Sequence, residues 1–465
     1  MNKKNLAKGM LYVFLANIIN LIFGLINNFA LPKYLSVDSY ADMKTFTLFL
    51  SIAGILHFGY EDGMYLKYGG EDISNINAES LNYNIGTLRI FQAVISASIS
   101  IFSMLTRNHI LLAFGFMLLP YNMCMYFRNF FQAVGKFDIY GRILNLASIF
   151  IFLLNMTLIF LVRTDIVYYY LSGQIIIYIL IWGYGEHYVR KLVTRKMNIA
   201  AFSVPELFEN IKSGFSLMLG NFSSILLTSM DRWFVKSFLD NFAFAQYSFA
   251  VSTENFLNVA VTPVSTTLYN YFCRTNSETE IGKIKRAVII TAPFVASSAF
   301  LGDWIIRIIL ESYTSSVKVI YLLFASQICF IIIKSIYVNL YKAQKRQSVY
   351  FKKLIIVIVF GFVSNACAYL LFRNKEAFAW ATLLSAILWL CISNRDFPSL
   401  NLSIKELVFI FLAIIGMVFW GFLVGSIIGF IFYILLVMAF AILLFSHDLK
   451  YYLKYISNTI SSRLK

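Results

Sequence analysis

Fourteen apolar stretches follow one another along this chain, each close to the about 20 residues that a helix needs to cross a bilayer. They run roughly over 10–31, 43–64, 84–106, 109–129, 140–162, 165–186, 211–238, 241–268, 283–302, 316–341, 350–372, 376–394, 405–424 and 426–446. Hydrocarbon offers no water to backbone N–H and C=O groups, so only helices and closed barrels can span it. Stretches of this length select helices. Composition agrees: 59% of the 465 residues are hydrophobic and 13% charged, against about 25% charged in a soluble domain. That excludes a soluble enzyme, a secreted disulfide scaffold and a disordered regulator. The expected fold is an all-α integral membrane protein of about 14 transmembrane helices.

The net charge of +16 is first a topology signal. With the N-terminus placed inside and the helices alternating, 27 of the 39 Lys and Arg residues fall on the inner side and nine on the outer. Arg89, Arg232 and Lys334 remain within helices. This bias predicts cytoplasmic termini and removes the nucleic-acid reading of the charge. Lys3, Lys4 and Lys8 ahead of 10–31 imitate a signal peptide, but the stretch is too long, so it reads as a retained first helix. Five cysteines without a Cys-x-x-Cys pair and four scattered histidines indicate neither a disulfide framework nor a metal. The expected cofactor is none.

The two halves resemble each other. A shift of 204 positions carries Asn17 onto Asn221, Asn20 onto Ser224, Gly24 onto Thr228, Asn27 onto Asp231 and Asn28 onto Arg232. Tyr34-Leu35 then falls on Phe238-Leu239, and Tyr40-Ala41 on Phe244-Ala245. Later, Phe131-Gln-Ala-Val-Gly-Lys136 echoes Tyr341-Lys-Ala-Gln-Lys345. Six helices per half make a parallel repeat, an arrangement that transporters use with the substrate site between halves. The expected domains are 1–186 (helices 1–6), a cytoplasmic linker 187–210, 211–396 (helices 7–12), and 397–465 with two further helices and a cytoplasmic tail. Asn17, Asn20, Asn27 and Asn28 recur at helical spacing, as do Asn221, Asp231 and Arg232. Such stripes face either a watery cavity or a neighbouring helix.

Several of these segments resemble the polysaccharide transporter family, the Wzx-type flippases of the multidrug/oligosaccharidyl-lipid/polysaccharide (MOP) superfamily. Ser229-Met-Asp231-Arg232-Trp-Phe-Val, followed by Phe244-Ala-Gln-Tyr247-Ser-Phe-Ala250, is similar to the family's Asp-Arg signature and its approach to helix 8. Ala245 stands where the family usually has glycine. Leu31-Pro-Lys-Tyr-Leu35 with Tyr40-Ala41 resembles the first-half counterpart, Phe131–Phe137 the loop after helix 4, and Gly59 the glycine near the end of helix 2. The resemblance implies two six-helix lobes in a MATE-like V plus two peripheral helices. It implies alternating access that carries undecaprenyl-pyrophosphate-linked oligosaccharide across the bacterial inner membrane, for O-antigen, lipopolysaccharide or related polysaccharide. A polysaccharide polymerase and chain-length machinery would be its partners beside the bilayer and the lipid-linked substrate.

Charge within a membrane is costly and marks function or pairing. Arg89 lies five residues into helix 3, about 8 Å deep. It either snorkels or contacts pyrophosphate, whose geometry a guanidinium matches. Lys334 precedes the inner end of helix 10 by seven residues, with the same two readings. Arg232 beside Asp231 is a structural pair or a cavity group. Glu254, near mid-membrane with Asn255 and Asn258, pairs with Arg232, Arg89 or Lys334, or serves as an H+ or Na+ coupling site. Arg128 closes helix 4 where it either meets the pyrophosphate or sits as an ordinary inner-side cation. Glu61 and Asp62 are expected in solvent, and His57 in the core.

Two other transport readings stay open: a MATE-type drug/cation antiporter, for which carboxylates rather than Arg and Lys would line the passage, and a peptidoglycan lipid-precursor flippase. A membrane enzyme is not expected, because no metal, nucleotide or nucleophile motif appears.

Overall fold

The computed structural model describes residues 20–192, 201–274 and 277–463. Their regular structure is helical throughout. The first unit contains α1 (20–34), α2 (Val37–Ser51), α3 (Tyr60–Tyr68), α4 (Ala78–Thr106), α5 (His109–Ala133), α6 (Phe137–Met156) and α7 (Val167–Leu192). α8 (Val204–Phe238) follows, then α9 (Asn241–Phe272), α10 (Glu278–Ala296), α11 (Ser298–Ile309), α12 (Val317–Ile332) and α13 (Val338–Ala343). The chain closes with α14 (Gln347–Leu371), α15 (Lys375–Arg395), α16 (Ile404–Leu423) and α17 (Ser426–Arg463). These helices occupy the fourteen apolar stretches, three of which are divided: α2–α3, α10–α11 and α12–α13. The last pair is joined by a π-helical turn, Ile333–Tyr337.

This is an all-α, multi-pass membrane protein. Ten helical segments among the described residues are long and apolar enough to cross a membrane. α1, α2–α3, α8 and α9 are not among them. α1 is described only from residue 20, α2–α3 is interrupted, and α8 and α9 carry many polar residues. The chain forms two compact units, Met1–Ser229 and Met230–Lys465, so the boundary falls inside α8.

In the first unit α5 is the central helix, against α2, α3, α4, α6 and α7. Its Tyr126, Phe127, Phe130 and Phe131 recur at helical spacing and meet Leu81, Ile85 and Leu88 of α4. Without water to drive helices together, close backbone approach and packing must do so. Gly115 supplies it: a Cβ there would run into Ser100 of α4, and Ser96 donates to the Gly115 carbonyl at 2.5 Å.

In the second unit α12 is central, with every residue buried except Lys318. It packs against α9, α10, α15 and α16. Two buried polar knots fasten the last two helices. Asp303 of α11 accepts from Tyr321 at 2.8 Å, from the Ser426 amide at 2.6 Å and from Arg307 at 2.6 Å. Lys285 of α10, only 4% exposed, pairs with Glu406 of α16 at 2.9 Å. Its other N–H groups donate to the carbonyls of Leu400 and Asn401 at 3.1 and 2.9 Å.

The internal repeat reappears as local geometry. Ser36 and Asp240, 204 positions apart, each cap the helix that follows through their side chains. After α5 the Lys136 amide donates to the Phe131 carbonyl at 2.8 Å, and after α13 the Arg346 amide donates to Tyr341 at 2.8 Å. The residue before each is left-handed: Gly135 at φ +71° and Lys345 at φ +55°. A side chain in that region costs roughly 1–2 kcal/mol relative to glycine. Lys345→Gly should therefore raise stability by about 1 kcal/mol, read as a higher unfolding midpoint of the detergent-purified protein. An unchanged or lower midpoint would show that the Lys345 side chain compensates for its backbone.

Candidate functional site

The stretch expected as one helix over 43–64 is broken. α2 stops at Ser51, a short 3₁₀ turn covers Ala53–Ile55, and Phe58 and Gly59 are left-handed at φ +52° and +89°. Non-helical backbone at membrane depth is tolerated only where protein satisfies it. Gln92 of α4 donates to the Leu56 carbonyl at 3.0 Å, and Asn122 of α5 donates to Ala53 at 3.3 Å and to Gln92 at 2.8 Å. His57, buried as expected, accepts from the Gly59 amide through Nδ1 at 3.1 Å. The break also brings α3 hard against α8. A Cβ on Gly63 would overlap the Asn210 carbonyl, and one on Gly214 would overlap the backbone of Gly59 and Gly63.

Beside the break lies a cavity of about 240 Å³, with His57, Glu61, Asp62, Asn122, Arg128 and Asn221 among its lining. Glu61 was expected in solvent; it is 3% exposed. The reason is that α3 re-enters the packed interior after the break. Glu61 accepts from Asn129 at 3.3 Å, while its other oxygen, Asn122 Oδ1 and Arg128 Nε are buried without a protein partner. Asp62 accepts from Asn221 of α8 at 3.2 Å. Asn221 thus reaches a neighbouring helix, and Arg128 lines a cavity that also holds two carboxylates.

Outside the apolar stretches, Glu206 near the start of α8 gathers Lys67 at 2.8 Å, Asn84 at 2.5 Å and Asn210 at 3.0 Å. Tyr126 donates to Asn84 at 2.6 Å, extending the network into α5. Burial pushes the Glu206 carboxyl up, but the hydrogen bonds from Lys67, Asn84 and Asn210 outweigh it and hold the group below its ordinary value. A folded pKa below the unfolded one stabilises above the unfolded value and is lost as pH falls through the folded one. Acid should thus weaken the wild type below pH ~4, and Glu206→Gln should flatten that part of the profile, as followed by thermal unfolding. An identical acid limb in both proteins would contradict this role.

Arg89, expected either to snorkel or to meet pyrophosphate, has a partner on α7. It is 8% exposed and binds Glu186 of α7 at 2.8 Å, on the oxygen that Arg190 also reaches at 2.9 Å. Of the asparagine stripe on the first helix, Asn17 lies outside the described residues. Asn27 accepts from Asn155 of α6 at 3.3 Å; Asn28 is buried and Asn20 half-buried.

In the second unit Asp231 is buried, and its side chain is bound by hydroxyls. Tyr247 of α9 donates to it at 2.6 Å and Thr382 of α15 at 3.1 Å, while the Arg232 amide donates at 2.7 Å. The Arg232 side chain is half-buried. Glu254 is 9% exposed and accepts a hydrogen bond from Gln327 of α12, while two of the three expected cations, Lys334 and Arg232, lie within electrostatic reach of it. One turn along α9, Asn258 donates to exposed Asn255 at 3.3 Å and accepts from Lys334 at 3.1 Å. Lys334 sits in the π-helical turn, its Nζ 5.5 Å from the centre of the Phe330 ring. Such turns recur at functional positions in α-helices. Gln92, Asn122 and Gln327 were missed from sequence; their one signal is an amide side chain in the middle of an apolar helix. No cluster of three or more metal-ligating side chains occurs among the described residues.

The sequence matches no family model and no curated protein. The fold, however, is shared with solved membrane transporters. The chain is similar to the lipid II flippase MurJ in an inward closed conformation, at 16% identity and a TM-score of 0.66, over 95% of this chain and 99% of that one. It is similar to an inward-facing multidrug resistance MATE family transporter of the MOP superfamily, at 11% identity and a TM-score of 0.57, over 83% and 98%. The eukaryotic MATE transporter AtDTX14 follows at 12% identity and a TM-score of 0.50, over 85% and 94%. The fold is therefore of the MATE and MurJ kind.

Proposed function

We propose that this protein is a flippase for lipid-linked oligosaccharide, not an enzyme. It moves an undecaprenyl-pyrophosphate-linked repeat unit across the bacterial inner membrane by alternating access, with both termini cytoplasmic. Lys334 carries this reading. It is an ammonium within a membrane helix, held by a neutral amide and an aromatic face. A cation solvated this way can exchange its amide partner for a phosphate oxygen. The fold it shares with a lipid II flippase supports a pyrophosphate-linked lipid as the substrate class. O-antigen or another surface polysaccharide is the destination that the sequence resemblance favours, with the polymerase and chain-length machinery downstream.

Loss of the gene should leave repeat units on undecaprenyl pyrophosphate inside the cell and abolish surface polymer. Lys334→Ala should cut export at least tenfold at unchanged protein level, and Lys334→Arg should restore part of it. Wild-type export by Lys334→Ala would remove the cationic-passage argument. Rescue of cells depleted of their peptidoglycan-precursor flippase would instead favour lipid II as the substrate. A drug/cation antiporter is the second reading, and buried Glu254 is the observation that favours it. Either way Glu254 is the residue we assign to H+ or Na+ coupling, and Glu254→Gln should alter the response to ionophores.

A further inference from the structure

A second cationic site lies between α4 and α7, apart from Lys334. A cavity of about 440 Å³ is lined by Arg89, Trp182, Gly183, Glu186, His187 and Arg190. The five residues from α7 share one helical face by their spacing. Arg89 and Arg190 converge on a single oxygen of Glu186, so two guanidiniums share one carboxylate. The Trp182 indole N–H is buried and has no acceptor among the described residues. Gly183 leaves the floor open, since a Cβ there would meet nothing within 4 Å.

An anion answers all of these features, and the surroundings say which kind. Ile176, Ile179 and Leu180 of α7 and Val94 of α4 are exposed and apolar, as on a lipid-facing surface. Glu186 closes an apolar stretch, so the cavity sits at a membrane–water interface. Tryptophan and arginine belong there, and basic pockets between helices at that level receive lipid headgroups. We propose that the cavity binds the phosphate of an anionic bilayer phospholipid. Arg190 and the Trp182 N–H reach the phosphate oxygens, and Glu186 holds Arg89 and Arg190 in place. A choline headgroup would bring its own cation against two guanidiniums and is disfavoured.

The test is native mass spectrometry of the purified full-length protein, titrated with phosphatidylglycerol or phosphatidylcholine of matched acyl chains. One well-placed arginine is worth about a fivefold preference, so phosphatidylglycerol should be retained at least that much better. Gly183→Leu grows a side chain from a position whose Cβ meets nothing within 4 Å and introduces a better helix former. It should lower phosphatidylglycerol affinity about tenfold with no fall in melting temperature. Trp182→Phe, which keeps the ring and removes the N–H, should lower it about threefold. Equal retention of the two lipids, or wild-type binding by Gly183→Leu, would overturn the proposal. Displacement of the lipid by inorganic phosphate at about 10 mM would also overturn it, by showing a site for soluble anions.

Discussion

Lys285→Met should leave little folded protein in the membrane. The variant removes one partner of a buried ion pair and strands Glu406, together with the Leu400 and Asn401 carbonyls that Lys285 satisfies. Breaking such a pair from one side costs about 3–5 kcal/mol, a large part of a typical stability. The double variant Lys285→Met/Glu406→Gln should recover about 2 kcal/mol. Glutamine carries no charge to strand, and it can still close the capping box that Glu406 makes with Ser403 at the start of α16. Fluorescence-detected size exclusion and thermal unfolding in detergent would read both. A single variant as stable as wild type would mean that water reaches the pair.

The second large effect belongs to one methyl group. Gly214→Ala should lower stability by about 3 kcal/mol and abolish export, because the atoms nearest the new Cβ are backbone of Gly59, Gly63 and Asp62, which cannot turn aside as a side chain could. Gly220→Ala on the same helix is the control. Its Cβ meets nothing within 4 Å, so it should gain up to about 1 kcal/mol from helix propensity alone. If the two variants unfold at the same temperature, the close approach of α3 and α8 is not what holds this contact.

Much of the fold was legible because membrane helices advertise themselves by length. Loop signals carried the repeat as well: Ser36 against Asp240 and Gly135 against Lys345 turned out to be matched caps and matched left-handed turns. The break between α2 and α3 was not legible, since Ile52–Phe58 is as apolar as the helix around it. What breaks it is Gln92 and Asn122, which lie more than thirty positions away and offer its carbonyls other partners. The polar partners failed for a related reason. Arg89 was weighed against phosphate and solvent, while Glu186 ended a different apolar stretch 97 positions on. Charges could be placed by depth from sequence, but pairing depends on which helices are neighbours, and depth does not supply that.

The broken second helix also bears on how the chain enters the membrane. Segments are made in order, and the Leu56 carbonyl receives its donor from Gln92 of α4, which is synthesised later. Until that donor arrives, the break would expose the Leu56 carbonyl to hydrocarbon at a cost of several kcal/mol. Insertion one hairpin at a time therefore cannot complete α2–α3. The segment has to wait in water, in the insertion machinery or in a temporary continuous helix. It takes its final shape only when Gln92 is beside it, which makes the arrival of α4 the event that commits α2–α3 to its fold.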